Sequence, residues 1–320
     1  MDSFLKKYRI ELLVIIGLAV LLFLVIFINT RIERLEQIVG LGNNPEAVYE
    51  GLPQEDEPLL AISYELPKEL SFAGEQVPLD RSDLREQIDK ELQINIYFHS
   101  NTIFLMKRAN EWLPQFEPIL KRNGIPDDFK YLPLIESGLL NVISPANAVG
   151  FWQIVRSAGK ENGLEITREV DQRYDPIKAA EAACSYFNKA YEKFGNWTLV
   201  AASYNRGMSG LGRAIEKQKV DSYYDLFLNE ETARYVFRIL AIKEIIENPV
   251  RYGFKINPQH LYQQDSLRFV EVKETIPDLV EFALEQGSNY KLLKRHNPWL
   301  RDDRLTVRRN ETYTIALPAI

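Results

Sequence analysis

The stretch YLPLIESGLL, Tyr131 to Leu140, sets one carboxylate, Glu136, among apolar residues just ahead of a glycine that would end a helix. Side chains three and four positions apart share a helix face, so Leu132 and Pro133 lie on the turn before Glu136, and Leu139 and Leu140 follow Gly138. Apolar neighbours and the negative end of the helix dipole both favour a neutral carboxyl. The stretch therefore predicts a raised pKa, which a general acid needs near neutral pH. Pro133 falls inside the expected helix, where it removes a backbone hydrogen bond and would kink the turn. Taken alone, a glutamate is more often part of a solvated helix face, so its meaning depends on the rest of the chain.

The surrounding chain reads as helical. Apolar residues recur at helical spacing through Leu84, Ile88, Leu92, Ile96, Ile103, Met106 and Leu113, until Asn123-Gly124 ends the run and Pro126-Asp127 starts the next segment. DPIKAAEAACSYFNKAYEKFG opens with Asp175 before Pro176 and closes at Gly195, the pattern of a capping residue, a first-turn proline and a terminal glycine. NWTLVAASYNRG and EETARYVFRILAIKEIIENP supply two more helices, the last ending at Pro249.

Composition bounds what such a domain can do. The 320 residues are 46% hydrophobic and 26% charged, enough for one sizeable core and some appendages. A net charge of -6 with no basic face argues against nucleic acid as a partner. A lone cysteine, Cys184, excludes an intramolecular disulfide and reads as a small buried residue. His99, His260 and His296 lie far apart without ligand spacing, so neither a metal site nor a cofactor is expected.

The N-terminus adds a location. Leu12 to Ile28, LLVIIGLAVLLFLVIFI, carries no charged or polar side chain and is long enough to cross a bilayer. Asn29, Thr30 and Arg31 follow in place of a small-residue cleavage site, so the segment reads as a retained transmembrane anchor rather than a signal peptide. Lys6, Lys7 and Arg9 would keep residues 1–11 as a cytoplasmic stub, with the remainder extracytoplasmic or periplasmic. Residues 29–83, with prolines, glycines and acids but no sustained periodicity, read as a linker or a loosely packed extension.

Four ordered blocks give Glu136 its company: ESG at Glu136 to Gly138, GFWQ at Gly150 to Gln153, SYNRG at Ser203 to Gly207 and ETARYV at Glu231 to Val236. Their order and spacing resemble the lytic transglycosylases of the soluble-transglycosylase (SLT), lysozyme-like superfamily, especially its membrane-bound type D branch. The departures are Phe151 for the usual leucine and Ser203 for alanine. The resemblance implies a mainly α, lysozyme-like (goose-type/SLT) catalytic domain over residues 84–260, acting on peptidoglycan glycan strands. In that family the glutamate is the sole acid/base. The acetamido group of N-acetylmuramic acid supports the developing cation, and its C6 hydroxyl attacks to give a 1,6-anhydro end without water. One carboxyl, Glu136, then suffices, first donating and later accepting a proton. No second acid stands out among the blocks, since Asp171 and Asp175 read as loop and cap residues.

The resemblance assigns substrate contacts to Ser137, Gly150, Trp152, Gln153, Tyr204, Asn205 and Tyr235. Each has a plainer alternative. Ser137 reads equally as a cap-like hydrogen bonder, Gly150 as a close backbone approach, and the tyrosines, Gln153 and Asn205 as packing residues. Trp152 and Phe151 either line the glycan groove or fill the core. The tail, residues 261–320, runs strand, helix, helix, strand and resembles a divergent LysM module, a small α+β glycan-binding fold. It lacks the tight Gly-Asp-Thr-Leu start, and a cap packed on the helical domain is the other reading.

Overall fold

The computed structural model describes residues 62–319. The expected membrane span, the stub before it and most of the expected linker lie outside these residues. Among the described residues no helix is long and apolar enough to cross a membrane.

The described part of the expected linker is packed, not loose. A short antiparallel hairpin, β1 (Ser71–Phe72) and β2 (Glu75–Gln76), buries Phe72 against Phe129 at 5.1 Å between ring centroids, and Leu70, Val77 and Leu79 are buried with it. This hairpin is tied by polar groups as well. Asp128 accepts from the Ala73 amide and from Lys243, and Glu75 accepts from the amides of Trp197 and Thr198. A carboxylate at those amides satisfies donors that a helix start leaves open. Irregular segments of this kind have no periodicity to read, so their packing escapes the sequence.

The single helical run expected from Asp83 onward is two helices, α1 (Ser82–Tyr97) and α2 (His99–Arg122), broken at Phe98, whose ψ of 54° leaves the helical region. The i, i+4 series Leu84, Ile88, Leu92 and Ile96 is buried along α1, which packs lengthwise on α8 (Glu230–Glu247). Between them in sequence come a 3-10 turn (Asp127–Tyr131), α3 (Leu132–Ser137), α4 (Arg156–Glu161), α5 (Pro176–Phe194), α6 (Trp197–Arg206) and α7 (Met208–Gln218). The expected caps form: Asp175 accepts from the amides of Ile177 and Lys178, Pro176 opens α5, and Gly195 closes it with a left-handed φ of 66°. Phe116, Phe129, Trp152 and Phe187 fill the centre, with Phe129 and Phe187 only 4.5 Å apart.

The tail folds as expected from its pattern. Strand β3 (Leu267–Val272) pairs antiparallel with β4 (Tyr313–Pro318), Leu267 opposite Pro318 and Val272 opposite Tyr313, and α9 (Leu279–Glu285) and α10 (Tyr290–His296) lie between them in sequence. It has its own core of Ile276, Leu279, Leu293, Leu300, Leu305, Ile315 and Leu317. Val170, from the loop between α4 and α5, is buried in that same core. The tail is therefore attached to the helical domain by apolar packing.

Candidate active site

Glu136 sits in the last turn of α3, and Gly138 ends that helix in the left-handed region with φ 63°. Pro133 does not kink it. It occupies the first turn, where its missing N–H has no intrahelical partner to lose. Helix α8 runs alongside α3, and the hydroxyl of its Tyr235 donates to Glu136 Oε1 at 2.5 Å. One turn further along α8, Arg238 donates to the carbonyl of Ile135 at 2.9 Å, which fastens the backbone beside the glutamate.

Burial pushes the Glu136 carboxyl up to about 7. The Tyr235 hydrogen bond and the Arg238 charge pull the other way, and the nearby Glu231 charge adds to the rise. Tyr235 and Tyr204 are themselves pushed well above the ordinary phenol range, first by burial and then by the charge of Glu136, so both stay protonated as donors.

Glu136 faces a groove of about 560 Å³ whose walls include Gln153, Tyr186, Tyr204, Asn205 and Glu231. Asn205 is held from α8, donating to Glu231 Oε1 at 3.0 Å and accepting from the Thr232 hydroxyl at 2.8 Å. The Tyr204 hydroxyl donates to the Trp152 carbonyl at 2.7 Å, so its ring is fixed on the groove wall. Gln153 adopts a left-handed φ of 49°, donates to the carbonyls of Gly150 and Val142, and lines the groove. A non-glycine residue in this region is strained, a state that persists only where its surroundings enforce it.

Three of the residues assigned to substrate contact do other work. Trp152 is fully buried, at 0% exposure, and its indole N–H donates to the Pro176 carbonyl at 3.2 Å. No sugar can reach it, and Phe151 is likewise buried, edge-on to Trp112 at 4.8 Å. Gly150 has φ 82°, and a Cβ there would stand 2.0 Å from the Arg173 carbonyl oxygen, so it is a close-approach glycine. Ser137 donates to the Phe151 carbonyl at 2.8 Å, linking the helix of the glutamate to the groove loop. An aromatic residue beside a motif glutamine has the same local sequence whether it faces ligand or core, which is why the burial of Trp152 and Phe151 could not be read from the sequence.

Two groups escaped the sequence reading. Glu231 was present in the ETARYV block, one helical turn before Tyr235 and on the same face, which was the signal for a second carboxylate in the groove. Arg173 and Asp171 form a buried ion pair behind the groove loop, with side-chain exposures of 8% and 9%. Nothing local in the sequence marks it. Among the described residues no cluster of three or more His, Cys, Asp or Glu side chains could hold a metal ion.

Comparison with known proteins matches two parts of the chain. Residues 116–227 match the transglycosylase SLT domain, and residues 268–320 match the soluble lytic transglycosylase C-terminal LysM-like domain. Membrane-bound lytic murein transglycosylase D of Escherichia coli strain K12 is 31% identical over 195 residues, covering 58% of this chain and 42% of that protein. The protein of that name from Escherichia coli O6:H1 strain CFT073 is likewise 31% identical over 195 residues, with the same coverages. An Alteromonas sp. (strain M-1) protein named for tributyltin chloride resistance is 28% identical over 126 residues, 39% of this chain and 61% of that one. The chain thus spans less than half the length of the E. coli relatives it matches.

Proposed function

We propose that this chain, carrying an SLT domain joined to a LysM-like module, is a peptidoglycan lytic transglycosylase with Glu136 as its acid and then its base. The carrying observation is the Glu136 carboxyl, raised to about 7 by burial and hydrogen-bonded by Tyr235, at the wall of an open groove. Protonated Glu136 donates to the oxygen that leaves the anomeric carbon of N-acetylmuramic acid. The resulting carboxylate, steadied by Tyr235, accepts the proton of the C6 hydroxyl as that oxygen closes onto the same carbon. One C–O bond breaks and one forms, and the proton returns to Glu136 without water. Gln153 and Asn205 present amide groups to the sugar, and the Tyr204 ring supplies an apolar wall. Held by the apolar Leu12–Ile28 segment, the domain works on the wall outside the cytoplasmic membrane, in keeping with the membrane-bound designation of the E. coli relatives.

Digestion of purified sacculi followed by mass spectrometry is expected to give 1,6-anhydro-N-acetylmuramic acid ends. Glu231 in the same groove supports a second reading, a hydrolase that activates water with this carboxylate. That enzyme would release reducing ends, each heavier by one water, and finding only those ends would overturn the lytic reading.

The first step needs the protonated acid, so the rate falls as pH rises through about 7. Tyr235→Phe removes a hydrogen bond that favours the carboxylate, and the alkaline limb of the kcat profile is expected to move to higher pH. An unmoved or lowered limb would separate Tyr235 from the titration of Glu136.

A further inference from the structure

The C-terminal module touches the groove wall through a short relay that begins at its edge. Leu300 bridges Val170, the Asp171 amide donates to the Trp299 carbonyl at 2.9 Å, and the Arg301 amide donates to the Glu169 carbonyl at 2.7 Å. Asp171, so placed, grips Arg173 with both oxygens: Nε to Oδ1 at 3.0 Å and Nη2 to Oδ2 at 2.7 Å. This two-pronged pairing fixes the guanidinium plane. The remaining nitrogen, Nη1, then reaches the carbonyls of Asn147 at 3.2 Å and Ile154 at 3.3 Å. Those two carbonyls flank the loop that carries Gln153 into the groove, and the Arg173 backbone lies against Gly150 in the same loop.

We infer that Arg173 is a positioning residue for the groove loop and that the C-terminal module, by seating Asp171, is a structural part of the active groove. The physical reason lies in the loop itself. It holds Asn147 at φ 59° and Gln153 at φ 49°, and its internal backbone bonds are the reciprocal Val149–Ile154 pair, Gly150 to Val142, Gln153 to Gly150 and the turn at Ser144–Ala148. A strained, short loop keeps one shape only if outside groups over-determine it. Arg173 is one of those groups, beside Ser137 on the Phe151 carbonyl and Tyr204 on the Trp152 carbonyl, and lysine cannot replace it, since one ammonium does not reproduce the fork. The consequence for turnover rests on the transglycosylase reading; the consequence for loop order does not.

Hydrogen exchange on the full chain separates the two. In Arg173→Lys the amides of Val149, Gly150 and Ile154 are expected to exchange about tenfold faster, with the amides of α5 and α8 unchanged. Val170→Ala, which loosens the module's seat without touching the ion pair, is expected to speed the same amides to a lesser degree. On glycan, Arg173→Lys is expected to raise KM more than it lowers kcat and to leave the pH profile in place. Unchanged loop exchange in Arg173→Lys would overturn the positioning role. Faster exchange there with none in Val170→Ala would overturn the part given to the module. A wild-type chain inactive on glycan but showing both exchange effects would reject the enzyme reading and keep this one.

Discussion

Glu136→Gln is expected to lower kcat on peptidoglycan by about 10³-fold, within the range for losing a general acid, while glycan binding persists. The amide keeps the shape and the contact with Tyr235 but has no proton to lend. The same substitution should make the protein sturdier at alkaline pH. In the folded chain Glu136 titrates at about 7, above its ordinary 4.5, so the group's contribution to stability is complete below 4.5 and is lost as pH rises through 7. Gln does not titrate. The variant's advantage should therefore be absent at pH 4 and reach on the order of 2–3 kcal/mol at pH 8, read from urea unfolding at the two pH values. Equal stability of the two proteins at both pH values would mean that the carboxyl is solvated and the acid assignment unsupported. A gain in stability with loss of turnover is the mark of a group placed against its own folding preference.

Gly150→Ala is expected to destabilise the fold by about 3 kcal/mol or more. Two costs add there: a left-handed φ of 82° and a methyl carbon placed 2.0 Å from the Arg173 carbonyl, which is backbone and cannot swing aside. Gly163 provides the comparison. Its φ is 87° but nothing lies within 4 Å of a Cβ there, so Gly163→Ala should cost only the backbone share, about 1 kcal/mol. Denaturant midpoints of the two variants isolate the contact, and similar losses in both would show that Gly150 and the Arg173 carbonyl do not meet so closely.

What could be read from the sequence was what neighbouring residues settle among themselves. Asp175-Pro176 and Gly195 mark both ends of α5 because capping is a matter of three or four residues. Glu136, Gln153, Tyr204, Asn205 and Tyr235 stand out in the sequence because each belongs to a block that resembles a known catalytic set, and the groove gathers Glu136, Gln153, Tyr204 and Asn205 with Tyr235 directly against the glutamate. What could not be read depends on long-range burial. Trp152 looks the same in sequence whether it meets sugar or the edge of Phe116, and only the packing of α2 and α5 behind it decides. Arg173 acts through the carbonyls of residues 19 and 26 positions away, which carry no residue identity to recognise. The hairpin at 71–76 looked like linker because two residues, Phe72 and Glu75, do most of its anchoring and two residues make no period.

Val170 also sets where this molecule can be cut and rejoined. A chimaera that exchanges everything after residue 260 for a foreign tail would strip the cover from Val170 and would leave the Asp171 amide without the Trp299 carbonyl that accepts from it. A graft that travels with residues 165–174 keeps the joint whole. The packing unit around this joint is discontinuous along the chain, and borders drawn by residue number alone would miss it.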